Sequence, residues 1–214
     1  MKNKFVFVLL LLIGLTNVFV SSSNAKTLST FNKQRPYVEM YNEKGKLVQS
    51  YTDGEIKGLM KEVADVKHFL DIQRPENGAY MNSYDEDGTG RIIDSSSKEV
   101  LDVQKSIMKK AAPHKLQFYQ STTFNDNVWL ANQSMFSNPT DLIMYFSQPF
   151  DKIIVKLIKD NKVTCIIKVG NLQGVVHVPL TKVYKEAGDY QLQFVNANKY
   201  GKEVNLKGGI LYHD

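Results

Sequence analysis

Cysteine is all but missing from this chain: Cys165 is its single thiol in 214 residues. No intrachain disulfide can form, so stability has to come from burial and not from covalent cross-links. Other absences narrow the chemistry. The sequence holds no G-x-S-x-G, S-x-x-K or H-E-x-x-H pattern and no Gly-rich phosphate loop, which removes the common hydrolytic and nucleotide-using signatures. His68, His114, His177 and His213 lie far apart with no H-x-x-x-H spacing, so no zinc site is expected from sequence. The net charge is only +5, and the lysines are scattered without a basic run or an aromatic ladder between them. Nucleic acid is therefore not an expected partner, although weak, salt-screened attraction to an anionic cell wall or membrane surface is compatible with that charge. There is no 20-to-50-residue repeat and no low-complexity tract.

What is present begins with the stretch MKNKFVFVLLLLIGLTNVFVSSSNAKT. Lys2 and Lys4 precede an apolar run from Phe5 to Val20, broken only by Gly14, Thr16 and Asn17. A spanning helix needs about 20 apolar residues, and no basic stop-transfer cluster follows this shorter run. The segment reads as a signal peptide over 1–25, cleaved after the small-x-small site Ser23-Asn24-Ala25; an uncleaved anchor is the alternative. The expected product is secreted, starts near Lys26 and has no stable membrane insertion.

Residues 26–35 show no clear period and form a lead-in with room for an edge strand. YVEMYNEKGKLVQSY then offers two β-like runs around the turn Asn42 to Lys46, a hairpin. Thr52 and Glu55 have capping-box spacing, and Ile56, Leu59, Met60, Val63, Val66, Phe69 and Leu70 form one apolar helical stripe ended by Pro75. Ser96 and Glu99 have the same spacing ahead of KEVLDVQKSIMKKAA, a second amphipathic helix that Pro113 closes. Each helix is expected to lie on a sheet.

From His114 onward the period changes to two, with strands expected over 116–121, 127–131, 141–147, 152–159, 162–169, 174–180, 189–196 and 202–213. Val163, Cys165, Ile167 and Val169 alternate with polar neighbours, which makes Cys165 a buried structural thiol and not a nucleophile. Asp160-Asn161 suits a tight turn, and Gly208-Gly209 a bulge. The expected fold is α+β: an N-terminal hairpin and two amphipathic helices over 26–113, then an antiparallel β-sandwich, immunoglobulin-like or jelly-roll-like, over 114–214. In this alternation, and in AGDYQLQF at Ala187 to Phe194, the last hundred residues resemble bacterial secreted β-sandwich modules of the immunoglobulin-like or pre-peptidase C-terminal type. That resemblance brings no functional residues with it.

Two stretches bear on function. NSYDEDGTGRIID can be set in an EF-hand register, with Ser83 first, Asp85 third, Asp87 fifth, Gly88 sixth, Thr89 seventh and Asp94 twelfth. Ser83 is not an acid, Gly90 stands where an apolar residue belongs, and no helix leads in. The favoured reading is a hairpin bent at Asp87-Gly88 with a strand from Arg91 to Asp94. The alternative is a weak calcium site on Asp85, Asp87 and Asp94, filled at extracellular calcium levels. No other cofactor is expected. The second stretch is aromatic: Tyr119, Phe124, Trp129, Phe136, Tyr145 and Phe150 crowd the first third of the β-rich half. Buried, they are core; exposed, they would stack on sugar rings or anchor a protein. Trp129, Tyr119 and Tyr145 are the binding candidates, with Trp129 foremost because amides surround it.

The function expected is that of a secreted, non-catalytic binding or interaction protein acting at the cell surface, with a protein or polysaccharide ligand. The alternative is a secreted hydrolase or hydrolase inhibitor whose site assembles only in three dimensions.

Overall fold

Alternation of apolar and polar residues dominates the chain after Pro113, and in the computed structural model it becomes two antiparallel sheets. The structure describes residues 35–73, 82–85, 87–183 and 186–214. The expected leader, the lead-in before Arg35 and the helix stop at Pro75 lie outside them. The elements are β1 (Tyr37–Asn42), β2 (Leu47–Ser50), α1 (Asp53–Glu62), α2 (Ala64–Ile72), β3 (Asn82–Tyr84), β4 (Ile92–Ser95) and α3 (Lys98–Ala111). There follow β5 (Lys115–Phe124), β6 (Asn127–Trp129), β7 (Phe136–Ser137), β8 (Asp141–Phe150), β9 (Ile153–Lys159), β10 (Lys162–Gly170), β11 (Leu172–Pro179), β12 (Asp189–Asn196) and β13 (Val204–His213). Strands predominate, and with three helices among the described residues the fold is α+β and rich in antiparallel sheet.

One sheet runs β2-β1-β10-β9-β12-β6, with β7 beside β12; the other runs β11-β8-β13-β5. Their inner faces share a core in which Val38, Met40, Val155 and Leu157 meet Leu142, Met144 and Phe146, so the sheets form a β-sandwich. The four-stranded sheet is also covered on its outer face. There Ile143, Tyr145, Val175 and Ile210 pack against Val66, Phe69 and Leu70 of α2 and Val100, Ile107 and Ala111 of α3. Hence β8 is buried on both sides from Leu142 to Phe146, and its apolar run is continuous where other strands alternate. Each such side chain contributes about 1.5–3 kcal/mol of transfer free energy.

The N-terminal hairpin joins the sandwich, since Tyr37 to Asn42 pair with Gly170 to Cys165 across the width of the chain. Pro36–Asp214 form one compact unit.

The helices depart from their sequence pattern in two places. The stripe expected as one helix breaks at Val63, whose φ of −111° and ψ of 27° are not helical. Packing explains the break: Ile56 of α1 enters the core between the sheets, whereas Val66, Phe69 and Leu70 of α2 cover the outer face. The Thr52–Glu55 box forms as expected, with Thr52 N–H donating to Glu55 Oε2 at 2.7 Å and Glu55 N–H to Thr52 Oγ1 at 3.3 Å. At α3 the cap falls on Ser97, whose side chain makes no capping bond, and not on a Ser96–Glu99 box. Glu99 instead meets His68 of α2 at 3.0 Å. On α3, Gln104 is buried and bonds both the N–H and the carbonyl of Ile92 at 2.8 Å, standing in for a neighbouring strand.

Candidate binding cleft

β5 and β6 are the outermost strands of their respective sheets. Residues from both line a cleft of about 280 Å3 at this open side of the sandwich. Trp129 and Val128, both half-buried, supply its apolar surface above the buried Phe118 and Phe194, and the exposed Asn132 supplies an amide at its rim. Among the described residues none that lines it is charged, in a chain of which 23% is charged. Two larger hollows differ in this respect. One of about 460 Å3 mixes Lys46, Lys182 and Glu186 with Leu47 and Val48, and one of about 590 Å3 contains Arg91, His114, Lys115 and His213.

The wall carrying Trp129 has an unusual backbone. After Leu130, which is buried, Ala131, Asn132 and Gln133 all take left-handed conformations at φ 43°, 52° and 70°. Such a conformation costs about 1–2 kcal/mol for each residue with a Cβ. The turn is held from outside: Ser134 donates to the Ala131 carbonyl through N–H and Oγ at 3.1 and 2.6 Å, and Gln191 Nε2 to the Gln133 carbonyl at 2.8 Å. Strain persists only where its surroundings over-determine it, and it gathers at functional sites.

The opposite wall is the turn between β3 and β4. Thr89 O accepts the Phe118 N–H at 2.7 Å, and Gly88 O accepts Gln117 Nε2 at 2.8 Å, so the turn is bonded along the edge of β5. Gly90 permits this approach, because a Cβ there would stand 2.5 Å from the Phe118 carbonyl oxygen. The acids expected as calcium ligands belong to the same turn. Asp85 Oδ1 accepts the Asp87 N–H at 3.2 Å, and Asp85 Oδ2 meets the guanidinium of Arg91. Asp87 accepts the Thr89 N–H at 2.8 Å, and the hydroxyl and amide of Thr89 hold its carboxyl below the usual range. Asp94 is exposed on β4 opposite Ser83. The chain enters this turn from a strand, as in the hairpin reading. Among the described residues no group of three or more His, Cys, Asp or Glu is arranged to hold a metal ion.

Of the three aromatic candidates, the structure brings Trp129 and Tyr119 to the cleft and sets Tyr145 elsewhere. Trp129 is half-buried on β6. Tyr119 lines the cleft with its ring, but its hydroxyl donates to the Ile143 carbonyl inside the sandwich, and burial pushes its pKa well above 10.0. Tyr145 is buried under α2, with Lys67 and Lys207 Nζ 5.3 and 5.2 Å from its ring centre. Phe124, Phe136 and Phe150 are core. The place of Asn132 at the cleft was not readable from the sequence. The only signal was the density of amides in FNDNVWLANQS.

A second polar cluster lies apart from these three hollows. His177 of β11 is covered by α1. Its Nε2 stands 2.7 Å from Asp141 Oδ1 and its Nδ1 3.4 Å from Glu62 Oε2. Burial alone would raise the Asp141 carboxyl, but the hydrogen bond and charge of His177 outweigh it and leave the carboxyl below the usual range. Cys165 is fully buried, and burial raises its thiol to about 12. No family model, curated protein or solved structure matches the chain.

Proposed function

We propose that this is a secreted, non-catalytic binding protein acting at the cell surface, and that the cleft beside Trp129 holds its ligand. The observation carrying this reading is the cleft with no charge among its described lining residues, walled by the strained 131–133 turn and the chain's only tryptophan. A rigid, pre-formed site lowers the ordering cost of binding. Because there is only one tryptophan, its fluorescence reports on the cleft alone. The expected outcome is that a protein or polysaccharide ligand shifts this emission saturably, and that Trp129→Ala weakens binding by tenfold or more with circular dichroism unchanged. Full-strength binding by Trp129→Ala would refute the assignment.

The sandwich is of jelly-roll type in this reading, and strand pairing supports it. Setting aside the β1–β2 and β3–β4 hairpins and the two-residue β7, eight strands remain, in the orders β5-β13-β8-β11 and β6-β12-β9-β10. They pair as first with last, second with seventh, third with sixth and fourth with fifth, the arrangement made by wrapping one long antiparallel hairpin into two sheets.

A secreted hydrolase or hydrolase inhibitor is the second reading, favoured by His177 between Asp141 and Glu62. A hydrolytic activity abolished by His177→Gln in a folded protein would establish it.

A further inference from the structure

We infer that the ligand of the Trp129 cleft is a neutral polysaccharide, bound through one or two of its sugar rings. This rests on the cleft being the binding site. A pyranose presents a C–H face and a rim of hydroxyls and carries no charge, and the cleft offers the complement of each. Trp129 supplies an aromatic ring, the exposed Asn132 supplies an amide at the rim, and among the described residues no charged one lines the site. Phosphates, uronates and charged peptides would leave an ionised group uncompensated there. A purely apolar ligand would strip water from the Asn132 amide without replacing its hydrogen bonds.

A peptide adding itself as a strand fits less well. On the outer edge of β5 the Phe118 N–H already donates to Thr89 O at 2.7 Å and the 88–90 turn stands in the way, and the other edge beside the cleft, β6, is only 3 residues long. The cleft's 280 Å3 lies just under the range of about 300–1,000 Å3 for small-molecule pockets, a size for a short stretch of a chain and not a whole oligosaccharide. Both walls are bonded in place, by Gln191 on one side and Gln117 on the other. That matters for a ligand whose hydroxyls bind water almost as well as protein.

The test titrates the purified protein with hexasaccharides of β-1,4-glucose, β-1,4-N-acetylglucosamine, α-1,4-glucose and β-1,4-mannose, read by Trp129 fluorescence in the unaltered chain and by titration calorimetry in that chain and every variant. An oligogalacturonate and an uncharged Ser/Thr/Gln-rich peptide serve as comparisons. Expected are saturable binding of at least one neutral sugar, binding of the galacturonate at least tenfold weaker, and loss of tenfold or more in Trp129→Ala but not Trp129→Phe. Should Trp129→Ala not fold, Asn132→Ala on the exposed rim is expected to weaken the same sugar at least threefold. Binding of the peptide or the galacturonate at Trp129 with no neutral sugar bound overturns the inference and leaves the cleft as the site. Silence from every probe overturns both.

Discussion

Single residues decide what the cleft is made of. Ala131 occupies a left-handed conformation at φ 43° although it carries a Cβ. Glycine adopts that region freely, so Ala131→Gly is expected to raise unfolding free energy by about 1 kcal/mol in urea denaturation. A loss of stability would mean that the Ala131 methyl, packed on the core, matters more than the strain. Cys165 makes a prediction about pH. Its thiol pKa rises from 9.0 unfolded to about 12 folded because burial disfavours the thiolate. The unfolded chain therefore ionises first: the contribution is fully present below pH 9 and is lost as pH climbs from 9 toward 12. A fall of roughly 1.4 kcal/mol per pH unit is expected above pH 9, and Cys165→Ala should remove it up to the pH where tyrosines begin to ionise. Thiol reagents at pH 8 should label the protein only as fast as it unfolds.

At the scale of elements, β5, β8 and β13 meet at a point set by one glycine. The register of β13 against β8 shifts between Leu206 and Gly208, the bulge expected from Gly208-Gly209. A Cβ at Gly209 would overlap the Ile143 carbonyl oxygen and the Tyr119 hydroxyl, the two atoms that bond each other across the strands. Gly209→Ala is expected to cost about 3 kcal/mol or more in thermal or urea unfolding, because the blocking atoms include rigid backbone. It should also disturb the floor of the cleft through Tyr119. Strand periodicity was legible almost throughout, as in Tyr190, Leu192 and Phe194, which are buried with Gln191 and Gln193 between them half-exposed. It failed where an element faces two environments. Val63 looks helical by spacing but lies where one apolar stripe must serve two cores. Val163 shares the alternation of Cys165 yet is exposed, because the register shifts between them next to the Asp160-Asn161 turn.

At the scale of the whole molecule, the two clusters of buried side chains share strand β8, whose Ile143 and Tyr145 face the helices while Leu142, Met144 and Phe146 face the other sheet. Neither helices nor sandwich can loosen without exposing part of the other's core. The expected result is a single cooperative transition over residues 36–214, with far-ultraviolet circular dichroism and Trp129 fluorescence coinciding in a urea titration. Two separated midpoints would show that the helical layer unfolds independently.

Sequence alone determined the α+β, sheet-rich class of the described chain, the position of most strands, the first helix cap and the buried character of Cys165. These are set by local periodicity and by neighbours three or four residues away. It also singled out Trp129, through the amides around it. Only tertiary structure decided which strands pair, that the 37–50 hairpin extends the sandwich, and that His177 lies between Asp141 and Glu62. It alone brought the 88–90 turn against Phe118, some thirty residues along the chain, to close the cleft facing Trp129. Those facts depend on contacts between residues distant in sequence, which periodicity does not encode, and on a left-handed turn without glycine, which local propensity argues against.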